Sequence, residues 1–253
     1  MVALDDLLAD CFARRHPVFE AEFAGWLRAS RRLRAFVADN RTKICAKLKS
    51  TRDEAGLLDV RAELVAAASL LSDERFTVAY ETYAAGKRGG PDFTVVFKTN
   101  TRCNVEVRRI RTIEAGAGSA PESATENGTE NGKENGAVAV AKLAAVLCDK
   151  TRQMPPSSVN FLWLAADGGW AVKEVAAATA LLRGRAERKD EVYFARHGFA
   201  TSGAFLRQYG QMSGVVLWQG GAAALWLNPH ARHKPRAELV AALQRLGADK
   251  GAK

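Results

Sequence analysis

The chain has 253 residues, 47% of them hydrophobic and 26% charged, which is enough for one buried core with additions. Its formal net charge of +9 and pI near 9.6 suit a phosphate-rich partner, although solubility or an anionic membrane surface would use the same charge. No apolar run reaches membrane-spanning length, the N-terminus lacks the apolar core of a signal peptide, and the four cysteines show no CxxC spacing. The expectation is therefore a cytoplasmic protein without membrane contact, disulfide framework or zinc site. P-loop, dinucleotide-fold and serine-hydrolase signatures are absent.

Residues 4 to about 37 carry Leu7, Leu8, Cys11 and Phe12 near helical spacing, with Pro17 as an interruption. Between Arg28 and Arg52 a run of cations that includes Arg31 and Arg32 faces only Asp39. Such a cluster could follow a phosphate backbone, and equally could be a solvated helical face. Residues 1–50 read as a basic helical extension and residues 51–253 as an α/β domain.

Ala55 to Leu71 predicts an amphipathic helix with Leu57, Val60, Leu64, Ala67 and Leu71 as its apolar stripe and Asp59 and Glu63 on the flank. An acid at the margin of a buried stripe can reach inward; the other reading of Glu63 is a surface carboxylate paired with an arginine. Phe76 to Thr82 reads as a strand from its β-branched and aromatic content, and Gly86 to Gly90 as the loop after it. Glu81, at the end of that strand, is an alternative acid.

The stretch GPDFTVVFKTNTRCNVEVRRIR, from Gly90 to Arg111, predicts a hairpin of two strands joined by a polar turn at 98–102. Period-2 alternation puts Asn104, Glu106 and Arg108 on one face and Val105, Val107 and Arg109 on the other. If the register brings Asp92 beside Glu106, two hard oxygen ligands and a cation meet at the hairpin's end. That arrangement suits Mg2+ (or Mn2+).

Residues 114–137, with TENG, TENG and KENG in succession, should be a disordered insert because they have almost nothing apolar to bury. Val138 to Gln153 predicts a helix with Lys150 and Gln153 at its end, stopped by Pro155 and Pro156. Val159 to Ala166 is an apolar run of the kind found in strands buried on both faces. Beyond it come a helix over 171–188, a strand pair over 214–219 and 222–228 joined by Gly220 and Gly221, and a closing helix over 236–246.

The Pro91-Asp92 pair, followed by Glu106-Val107-Arg108, resembles the PD-(D/E)XK motif of the restriction-endonuclease-like nucleases, with arginine where the motif has lysine. The flanking order adds to the likeness, since in that family an acidic helix precedes the hairpin and a helix bearing Lys or Gln, then a buried strand, follows it. The resemblance covers roughly Asp59 to Ala166. It implies a central mixed β-sheet flanked by helices and metal-dependent hydrolysis of phosphodiester bonds in nucleic acid, with DNA the first candidate.

By the same resemblance Asp92 and Glu106 would be the metal ligands and Glu63 the extra acid. Arg108 would be the phosphate-neutralising cation, and Lys150 and Gln153 would contact the scissile backbone, with Arg109, Arg31 and Arg32 as further nucleic-acid contacts. Arginine keeps its proton where lysine can lose it, so substrate contact survives the replacement better than base catalysis does. A nuclease, a fold relative that binds nucleic acid or a partner without cutting, and an interaction protein whose Asp92 and Glu106 are salt-bridged to Arg108 or Arg109 are the three readings.

Overall fold

A computed structural model describes residues 4–12, 16–82, 90–111 and 128–247. Four helices come first: α1 (Leu4–Phe12), α2 (Pro17–Ala29), α3 (Arg31–Asp39) and α4 (Arg41–Ser50). Pro17, expected as an interruption, occupies the first turn of α2, where its missing N–H costs nothing. The Ser30 side chain accepts from Leu33 N at 3.1 Å to start α3. The long helix α5 (Glu54–Leu71) is started in the same way by Asp53, which accepts from Gly56 N at 2.7 Å.

Six strands follow in one sheet of order β1-β2-β3-β4-β5-β6: β1 (Phe76–Tyr80), β2 (Phe93–Phe97), β3 (Thr101–Ile110), β4 (Val159–Ala166), β5 (Gly214–Gln219) and β6 (Ala222–Leu227). The pairs β1·β2, β2·β3 and β5·β6 are antiparallel, while β3·β4 and β4·β5 are parallel. Parallel neighbours need crossovers. Helix α6 (Gly128–Thr151) supplies the first. The second is made by α7 (Val172–Glu187), α8 (Glu191–Arg196) and α9 (Ser202–Tyr209). A last helix, α10 (Ala237–Gln244), closes the described chain.

The class is thus α/β, an open mixed sheet between two helical layers. Phe76, Phe93, Phe97, Val105, Val107, Trp163 and Trp218 pack on one face with residues of α1–α5 and α10. Leu162, Leu164, Val215 and Leu217 pack on the other with residues of α6–α9. Each fully buried phenylalanine here stabilises the fold by about 1.5–3 kcal/mol. The N-terminal helices share the first of these cores: Leu7, Phe23, Leu33 and Ile44 lie in one continuous cluster with the sheet.

Two expectations are corrected. Cys11 and Cys45 are joined by a disulfide that ties α1 to α4, although no spacing motif announced it. The insert expected to be disordered over 114–137 is helical from Gly128 onward as the start of α6; its 114–127 portion lies outside the described residues, as does most of the loop expected at Gly86–Gly90. A first stretch with three glycines and two asparagines, Gly128 to Gly136, is carried by a helix whose apolar C-terminal half is anchored in the core through Leu143, Ala144 and Leu147, so that elongation costs less than nucleation would. Among the described residues no helix is long and apolar enough to cross a membrane.

Candidate active site

The register pairs Phe93 with Val105, so Glu106–Ile110 runs on past the end of β2. Asp92, one residue before β2, turns its carboxylate to this overhang and accepts from Val107 N at 2.7 Å. An N–H beyond the last β-pair with β2 is thereby satisfied by a side chain. Asp92 and Glu106 thus meet at one corner of the sheet. They share a recess of about 160 Å³ with Asp59, Glu63, Val107, Arg108, Arg109 and Lys150. Because the recess sits at the gap where β2 stops, α5 reaches it from one helical layer and α6 from the other.

Glu106 is a buried carboxylate in an otherwise apolar strand segment. Lys150 donates to its Oε1 at 2.6 Å and to Gln153 Oε1 at 2.9 Å. Its Oε2 is buried without a hydrogen-bond partner. Burial raises the Glu106 pKa, Lys150 opposes the shift, and the charge of Glu63 adds to it. Burial together with the Glu106 charge pushes Asp92 up to about 6, against the bond from Val107 and the charges of Lys47 and Lys150. Carboxyls this close in one pocket titrate together, with Glu106 raising Asp92 and Glu63 raising Glu106.

Glu63 is raised too, by burial first and Asp92 second, and is held by a cation from the N-terminal helices. Lys47 of α4 reaches both its oxygens at 2.8 and 2.7 Å, and Tyr80 OH donates to Oε2 at 2.8 Å. Burial alone would lower Lys47; Glu63, Asp92 and Glu81 outweigh it, and its pKa is raised. Lys47 is one of the cations of the run between Arg28 and Arg52, and nothing in the charge of that run singles it out for the site. The signal that could have found it is a lysine three residues after Ile44 on a helix whose Ile44, Cys45 and Leu48 are buried.

The expected cations are placed differently. Arg108 is exposed and its nearest carboxylate is Asp59, at 4.0 Å. Arg109 is almost wholly buried between Asp59, at 3.2 Å, and Asp167, at 3.0 Å, so it ties α5 to the residue after β4. Neither arginine makes the salt bridge to Asp92 or Glu106 expected of a purely structural cluster; the charge partner of Glu106 is Lys150. Glu81 faces Lys47 at 3.3 Å but does not line the recess, whereas Glu63 does, together with the arginine-paired Asp59.

Arg32 is likewise engaged within the protein. It donates to the carbonyls of Leu71 at 2.7 Å and Asp73 at 2.8 Å, and to that of Phe76, fixing α3 to the turn before β1. Arg31 is exposed beside it and does not line the recess. The rest of the basic run is divided: Arg41 and Lys49 pair with Asp10, Lys43 donates to the carbonyls of Tyr80 and Glu81, and Lys47 serves Glu63.

Among the described residues no three His, Cys, Asp or Glu side chains form a ready-made metal group, and Lys47 and Lys150 are paired with the acids. The donor set nevertheless fits a hard cation that keeps most of its waters. Such an ion needs one or two carboxylates, and Glu106 Oε2 is an orphaned buried acceptor next to Asp92. Comparisons with family models, with curated proteins and with solved structures found no match to this chain.

Proposed function

We propose that this protein is a metal-dependent hydrolase of phosphodiester bonds in nucleic acid, built on a restriction-endonuclease-like core. The observation that carries the reading is the convergence of Asp92, Glu106, Glu63 and Lys150 on one recess at the mouth of the hairpin. Support also comes from the order of the parts: the acidic helix α5, the strand β1, the hairpin β2–β3, the lysine-bearing helix α6 and the buried strand β4. The net charge of +9 suits a polyanionic substrate.

Asp92 and Glu106 would hold a Mg2+ or Mn2+ ion, which when bound supplies polarisation of a phosphoryl oxygen and a more acidic bound water. The residues do the rest. Val107 N–H fixes the Asp92 carboxylate, and Gln153 and Glu106 hold the Lys150 ammonium at the recess wall. Lys150 thereby brings a lysine to the acids from α6, which compensates for arginine at position 108. Its charge would offset charge developing on the phosphate. Arg108, exposed at the rim, is suited to binding the backbone bidentately.

One observation favours a non-cleaving nucleic-acid-binding relative: the 2.6 Å Lys150–Glu106 pair already neutralises a ligand that the ion requires. Calorimetric titration with Mn2+ and cleavage assays on plasmid and single-stranded DNA separate the readings. Metal uptake and cutting by the wild type, both lost in Asp92→Asn and Glu106→Gln, are the expected results. Nucleic-acid binding without metal uptake or cutting in the wild type leaves only the binding module.

A further inference from the structure

Beside the acidic recess lies a larger groove of about 770 Å³, walled by α2, α3 and α5 on one side and by the ends of β4 and β5 on the other. It opens at the carboxyl ends of parallel strands, where α/β sheets commonly bind ligands. Arg109 lines both groove and recess, so the two adjoin. Four arginines line the groove, Arg31, Arg32, Arg61 and Arg109. Arg61 is paired with Glu22 at 2.6 Å, Arg109 with Asp59 and Asp167, and Arg32 with backbone carbonyls, so the exposed Arg31 is the cation the groove offers a ligand.

Its aromatic content is equally specific. Trp26 from α2 and Trp218 from β5 contribute to the walls. Trp26 is half-buried, backed by Phe19 and Phe23, with the Arg61 guanidinium 5.8 Å from its ring centroid. Trp218 is backed by Trp163 at 5.3 Å between centroids. Trp218 is buried and forms the floor, while Trp26, braced from behind and flanked by a guanidinium group, is the kind of ring an unstacked base packs on. A cleft of this volume is of the size that takes one small ligand or a short stretch of chain, whereas duplex recognition uses a broad surface or an element inserted in a groove.

We propose that this groove binds single-stranded nucleic acid, with a base against Trp26 and backbone phosphate at Arg31, and that the strand continues past Arg109 toward the carboxylates. The last clause rests on the phosphodiesterase reading; the binding itself does not.

The test is fluorescence anisotropy of the full chain with labelled oligodeoxythymidylate, oligouridylate and a DNA duplex of equal length, in EDTA so that no metal chemistry contributes. Single strands should bind more tightly than duplex and quench tryptophan emission. Arg31→Glu should weaken single-strand binding about tenfold and lower the salt slope by about one. Because Arg31 opens α3, a glutamate there is compatible with the helix dipole, and the variant keeps the fold. Trp26→Ala should weaken binding by roughly tenfold or more through lost stacking.

Preference for duplex, no binding of any oligonucleotide, or wild-type affinity in Arg31→Glu overturns the groove assignment. The phosphodiesterase reading fails separately, if the wild type binds single strands in the groove but cuts nothing when Mg2+ or Mn2+ is supplied.

Discussion

Lys150 Nζ lies 2.6 Å from Glu106 Oε1, joining the last turn of α6 to a carboxylate buried in the middle of β3. The pair sits between the cation's 20% exposed side chain and the acid's 5% exposed one, so it is shielded from water on the acid's side. Removing the lysine alone leaves an uncompensated buried charge. Lys150→Met should therefore cost about 3–5 kcal/mol in chemical denaturation. The double variant Lys150→Met/Glu106→Gln should recover most of that loss, and a double variant no more stable than Lys150→Met contradicts this account of the pair.

Asp92 sets a pH dependence. Its folded pKa of about 6 lies above the unfolded value near 3.8, so between these values the folded protein binds more protons than the unfolded chain. Stability should accordingly fall as pH rises from about 4 through 6, by roughly 1–3 kcal/mol. Asp92→Asn keeps an acceptor for Val107 N–H and removes the charge. Its melting temperature should depend less on pH across that window and exceed the wild type's at pH 7. An unchanged slope shows that the titrating group lies elsewhere.

Arg108 should contribute little to folding. It is exposed, and its nearest carboxylate is 4.0 Å away. Arg108→Ala should change stability by no more than about 0.5 kcal/mol while weakening oligonucleotide binding in a salt-dependent way. Turnover of bound substrate should persist, since the lysine at the acids is Lys150. Loss of turnover with unchanged binding assigns Arg108 a direct part in the chemistry.

The Cys11–Cys45 bond closes a loop across a separation of 34 residues. Chain-entropy reasoning puts its contribution at about 3–4 kcal/mol. Denaturation of Cys45→Ser, and of the wild type with and without reductant, measures it directly. Equal stability of oxidised and reduced protein would show that the core shared by α1–α4 and the sheet holds these helices without the link.

Much of the site was legible because it depends on local patterning. Alternation in β3 placed Glu106 opposite Val105 and Val107, and Pro91-Asp92 marked the start of its partner strand. The Gly220-Gly221 turn, with both residues at positive φ, was legible for the same reason.

Pairings between distant elements were not legible. Nothing local indicates that Lys47 reaches Glu63, that Arg32 gathers three carbonyls, or that Asp59 and Asp167 are the partners of Arg109. Helices α8 and α9 were missed because six and eight residues are too few to show a period. Their caps, Asp190 and Thr201, were the available signal.

The strand that outlasts its neighbour has one more consequence. Since β3 continues where β2 ends, the acids are bordered by side chains from both helical sheaths, Lys47 from one and Lys150 from the other. Proton affinity at this corner can therefore be changed by substitutions in either layer while the hairpin that sets the spacing stays unchanged, and because the charge of Glu63 raises Glu106, a change made through Lys47 is felt at the acid that Lys150 holds.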